Sequence, residues 1–105
     1  MPVKVLITRT FKEAHIKEAY KLLMELRALV TLRPGYMSGE TLFAADNPYK
    51  LLVISTWINR KRWREWRTHE KRKEYTKRLE PLLEAPEQYE VFLVGEKEPE
   101  WIDMA

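Results

Sequence analysis

The chain has 105 residues, 45% apolar and 33% charged, with 19 Lys/Arg, 16 Asp/Glu and no cysteine. Such a length predicts one domain with a modest core. The composition excludes disulfides, thiol catalysis and thiolate metal sites, and no apolar run reaches the ~20 residues that cross a bilayer. The segment Met1–Ile7 lacks the charged region, long apolar stretch and cleavage site of a secretory leader, so a cytoplasmic location without a membrane partner is the expectation. The formal charge of +3 is unevenly placed: residues 60–78 carry ten Lys/Arg against three Glu, while residues 84–105 carry seven acids and one lysine.

In chain order, residues 3–11 alternate in the manner of a strand, with Val3, Val5 and Ile7 on one face and Leu6, Thr8 and Thr10 on the other. Residues 13–32 carry a helical stripe of Ile16, Ala19 or Tyr20, Leu23, Leu26 or Arg27, and Val30, and the Pro34–Gly35 pair stops it. Residues 36–45 and 50–57 read as a hairpin around a turn at Asp46–Pro48. A second helix follows, broken near Thr68, where threonine is expected as an N-cap and Glu70 sits in the first turn. Its stripe of Tyr75, Leu79, Leu82 and Leu83 ends at Ala85–Pro86, and residues 88–94 form a last strand. Residues 1–95 thus read as one domain and residues 96–105 as an acidic tail.

The order β-α-β-β-α-β is most readily arranged as a ferredoxin-like α+β sandwich, a four-stranded antiparallel sheet with two helices on one face. The third strand is apolar on both faces around Leu51–Ile54. Helices cover only one of those faces, so a second sheet is expected on the other. The simplest source is a homodimer that closes as an α/β barrel.

Four fragments in this order carry a family resemblance: Pro34-Gly-Tyr36 before the second strand, Leu52-Val-Ile-Ser-Thr-Trp57 ending the third, Trp63-Arg-Glu-Trp66 on the second helix, and Pro81-Leu-Leu83 before the last strand. Over residues 3–95 the chain resembles the antibiotic biosynthesis monooxygenase family. These are small dimeric ferredoxin-like proteins that include cofactor-independent quinone-forming monooxygenases and haem-degrading enzymes. The haem-degrading branch is similar in having an asparagine late in its first strand, a tryptophan on its second helix and a histidine about ten residues later. Trp66 matches the tryptophan, but Arg9 (or Thr8) and Thr76 stand at the other two places. The resemblance therefore implies a cofactor-free oxygenase acting on an aromatic or quinol-like small molecule, ahead of haem chemistry. A non-catalytic dimeric binding or regulatory domain is the alternative.

The resemblance places a pocket between sheet and helices, with Trp66 in its wall. Trp63 lies beside Trp66 at i, i+3, although core packing explains both tryptophans equally well. Arg9 follows Val3, Val5 and Ile7 on one strand face. If that face meets the helices, its guanidinium enters the pocket as an oxyanion partner; otherwise it reaches solvent or pairs with Glu40 or a tail carboxylate. By residue type His69 is the expected general base. Glu40 and Tyr75 complete the candidates for substrate contact, and each also fits a structural role.

The basic segment raises two further possibilities. Nucleic-acid binding fits its charge and interleaved aromatics. Against it, the cations surround the helix rather than forming one stripe, and the central strands carry aromatics only at Phe11 and Trp57. Docking of the partner subunit's acidic tail, with Trp101 and Ile102 as anchors, accounts for the same charge without nucleic acid.

Overall fold

The computed structural model describes residues 1–95; the tail at 96–105, with the predicted anchors Trp101 and Ile102, lies outside the described residues. Strand β1 (Val3–Thr10) leads through a short 3-10 turn into helix α1 (Ile16–Val30). Strands β2 (Tyr36–Ala44) and β3 (Asn47–Trp57) form the hairpin. Helices α2 (Arg60–Arg67) and α3 (Glu70–Leu79), a 3-10 turn at Glu80–Leu82 and strand β4 (Gln88–Leu93) complete the domain. The sheet order is β2-β3-β1-β4, with every neighbouring pair antiparallel. This is the ferredoxin-like α+β arrangement expected from the sequence, with three helices where two were predicted.

Alternation along β1 sets the two faces of the sheet. Val3, Val5, Ile7 and Arg9 are buried towards the helices, while Lys4, Leu6, Thr8 and Thr10 look the other way. Register carries the same split across the sheet: Leu6 faces Ile54 and Glu90, and Ile54 faces Glu40. The buried stripe of α1 is Ala19, Leu22, Leu23 and Leu26, at i, i+3, i+4 and i+7. It is rotated slightly from the predicted one: Leu22 packs inward, and Tyr20 is exposed against Phe43 at the sheet edge.

Trp57, Trp63 and Trp66 join these residues in the core. A buried indole removes roughly 150–250 Å² from water, on the order of 4–6 kcal/mol at about 25 cal/mol per Å² before conformational entropy is counted. The Trp57 indole N–H donates to Ser55 Oγ at 3.1 Å, which explains a serine in a buried stretch of β3. Trp57 meets Tyr36 edge-on at 5.5 Å and Trp63 at 6.0 Å, and Trp63 meets Tyr89 at 5.8 Å. The aromatic wall predicted from spacing extends through both ends of the sheet's inner face.

Two local boundaries differ from expectation. Strand β3 begins at Asn47, within the predicted turn, because Asn47 Oδ1 accepts the Tyr49 N–H at 3.0 Å and the chain turns at Ala45–Asp46 instead. The helix break falls where predicted, but Thr68 closes α2 and does not open α3: its hydroxyl donates to Arg64 O at 3.0 Å. His69, with extended backbone, is the N-cap of α3, and its Nδ1 accepts the Lys71 N–H at 3.0 Å.

Candidate functional site

Between the inner sheet face and the helices lies a partly open cavity. Its floor comes from Ile7 and Arg9 of β1 with Val53, Ser55 and Trp57 of β3; α1 adds Met24, Arg27 and Val30, and α2 adds Trp63 and Trp66. Arg72 of α3 closes one side, and Tyr36, Gly39 and Thr41 of β2 form another. The free space is about 580 Å³ including the open mouth. Trp63 and Trp66 therefore border a space and do not fill it.

Two arginines of the cavity lining share one carboxylate, that of Glu87, which is not itself among the lining residues. Arg9, only 3% exposed, donates from Nε to Glu87 Oε2 at 2.9 Å, and Arg72, 7% exposed, donates from Nη2 to Glu87 Oε1 at 3.0 Å. The carboxylate is thus held between two guanidiniums. Burial pushes the Glu87 carboxyl up, but the charges and hydrogen bonds of Arg9 and Arg72 outweigh it and hold the group below the ordinary glutamate range. Burial lowers Arg9 from its ordinary value; Glu87 opposes that shift and the neighbouring Arg72 adds to it. Arg72 also lies over the Trp63 ring at 5.2 Å, and Arg33 over the Trp66 ring at 5.8 Å, so two of the indoles carry cations on their faces. At the mouth, Arg27 reaches Thr41 Oγ1 and Gly39 O at 3.4 Å each.

Of the residues picked from the sequence, Arg9, Trp63, Trp66 and Glu40 line the cavity. Glu40 does so only at the border. It pairs with Ile54 on the helix-free face and is exposed, so its carboxylate points away from the interior. His69 and Tyr75 are not among the lining residues. The His69 ring packs against Trp66 at 5.5 Å while its Nδ1 caps α3. The Nδ1 lone pair of His69 is thus engaged by the Lys71 N–H, and the ring stands outside the cavity lining. Tyr75 is half-buried in the core beneath Arg78, 5.1 Å from its ring.

Sequence reasoning missed Arg72 and Glu87. Arg72 had a readable signal, since it stands seven residues before Leu79 on the same helical stripe. Glu87 had none: it was counted with the acidic segment, and only the pairing of Thr8 with Gln88 brings it beside Arg9. Among the described residues no three His, Asp or Glu side chains gather as metal ligands, and no helix is long and apolar enough to cross a membrane.

No family model matches the chain, and no curated relative matches it. Solved structures do. A conserved protein from Methanosarcina mazei superposes with a TM-score of 0.83 at 15% identity, over 88% of this chain and 91% of that one. Rv0793 from Mycobacterium tuberculosis gives 0.83 at 18% identity, over 94% and 100%. SnoaB, a cofactor-independent oxygenase from Streptomyces nogalater, gives 0.80 at 17% identity, over 94% and 98%. The fold is that of the antibiotic biosynthesis monooxygenases, three of which share it at TM-scores of 0.80 to 0.82.

Proposed function

We propose that the chain is a cofactor-independent monooxygenase that oxidises an aromatic or quinol-like small molecule, acting as a homodimer. The observation that carries this reading is the partly open cavity with Trp63 and Trp66 in its wall and the buried cation Arg9 in its floor. The shared fold with an oxygenase that uses no cofactor supports it.

The tryptophans hold the planar ring by stacking, and Arg9 favours its ionised form, because a positive charge in a poorly solvated site stabilises a phenolate more than a phenol. The phenolic proton passes to water at the mouth, a step that needs no side-chain base. The phenolate then gives one electron to dioxygen, and the resulting carbon radical and superoxide join through a new C–O bond at the ring carbon para to the hydroxyl. The peroxide anion so formed takes a proton from water at the mouth; the O–O bond of this hydroperoxide then breaks as that carbon loses its hydrogen as a proton, which joins the departing hydroxide as water. One oxygen atom becomes the quinone carbonyl and the other becomes water, with all electrons drawn from the substrate.

A second copy is the proposed cover for the helix-free sheet face, where Leu6 pairs with Ile54 and Leu42 with Leu52, and Phe92 lies beside Lys4. Oxygen uptake with a panel of one- and two-ring phenols and hydroquinones tests the enzymatic reading. Uptake above the uncatalysed rate is expected for at least one compound, falling at least tenfold in Arg9→Met and several-fold in Trp66→Phe. Binding of the panel with no protein-dependent uptake would overturn the oxygenase and leave a non-catalytic binding domain.

A further inference from the structure

The cluster of Arg9, Arg72 and Glu87 is unbalanced. Glu87 offers one charge to two guanidiniums, and its two oxygens are taken up by one contact from each. Among the described residues Arg9 Nη1 and Nη2 and Arg72 Nε and Nη1 have no hydrogen-bond partner. Both arginines line the cavity. Glu40, the only acid lining the cavity among the described residues, projects from the other sheet face, and Arg27 is exposed at the mouth, where water screens its charge from the interior. A largely desolvated site with one charge in excess is costly to hold unless an anion completes it. Guanidinium forks match a carboxylate in both charge and planarity.

We propose that the cavity is a receptor for an aromatic monoanion, whose carboxylate is bound by Arg9 and Arg72 while its ring lies against Trp63 and Trp66. The proposal rests on the cavity being the substrate site, and it narrows the substrate to aromatic acids that also carry the oxidisable hydroxyl. Glu87 is a positioning residue here: it touches no ligand, but it holds the two forks side by side and leaves one net charge for a monoanion. A dianionic phosphate exceeds that charge.

Paired probes test this without turnover. Benzoate and benzamide, then 1-naphthoate and 1-naphthamide, are titrated at pH 7 and read by calorimetry and tryptophan fluorescence, with 1-naphthyl phosphate as the third headgroup. Each carboxylate is expected to bind at least tenfold more tightly than its amide. Arg9→Met should remove that preference while leaving amide affinity within about twofold, since the remaining Arg72–Glu87 pair is neutral. Arg72→Met should do the same. The proposal falls if the unmodified protein binds acid and amide equally, if both variants keep the preference, or if the phosphate binds tightest. The comparison within the unmodified protein decides even where a variant does not fold. Oxygen uptake separates this proposal from the oxygenase reading. Hydroxylated aromatic acids that bind with no uptake sink the oxygenase alone, whereas neutral quinols oxidised faster than those acids sink the anion receptor alone.

Discussion

Arg9 shows how far a single side chain was readable. Its place after Val3, Val5 and Ile7 put it on one strand face but left open whether that face meets the helices or the residue reaches solvent; the side chain is buried. Its partner was hidden, because Glu87 lies 78 residues away and reaches it only through the β1–β4 register. Removing Glu87 leaves two buried like charges facing each other, so Glu87→Ala is expected to cost about 3–5 kcal/mol in urea unfolding. The same carboxylate gives a pH signature. Its folded-state pKa lies below the unfolded value of about 4.3. Its stabilisation is therefore fully present above that value and is lost as pH falls through the lower folded one. Urea midpoints between pH 7 and pH 3 should fall more steeply at the acid end for the unmodified protein than for Glu87→Ala. Parallel curves would mean that Glu87 is not held as the structure shows.

Among the elements, the helices after β3 were legible in outline and misread at one junction. Trp63 and Trp66, three apart, share a buried face as spacing required. The break near Thr68 was placed correctly, but propensity alone assigned the cap to the wrong one of two adjacent polar residues. Thr68 still has helical carbonyls within reach, so its hydroxyl satisfies Arg64 O, and the extended backbone falls at His69 instead. That cap in turn engages His69 Nδ1 at a helix end outside the cavity lining. The N-terminus of α2 is conventional: Asn59 Oδ1 accepts the Arg62 N–H at 2.9 Å. Asn59→Ala is expected to cost about 0.5–2 kcal/mol in denaturant unfolding. A loss within error would show that the α2 end is held by its tryptophans alone.

For the whole molecule, the order of strands and helices and the antiparallel sheet followed from alternation and turn residues, because each local pattern agreed with one topology. The second sheet face was legible only as a contradiction: the middle of β3 is apolar on both sides, while helices cover one. Leu52 sits there with its direct neighbours Thr8 and Leu42 and no layer above it. If a second copy covers this face, a charge at its centre must be desolvated on association, which is expensive without a partner. In a lone chain the same charge stays in water and is nearly neutral to stability. Leu52→Lys therefore separates association from folding. Sedimentation should place the unmodified protein at twice its 12.7 kDa chain mass and the variant at one chain mass. Thermal unfolding of the variant should lose its dependence on protein concentration, and its affinity for the carboxylate probes should survive, because the cavity opens on the other side of the sheet. An unmodified protein that sediments at a single chain mass across the micromolar range would end the dimer proposal.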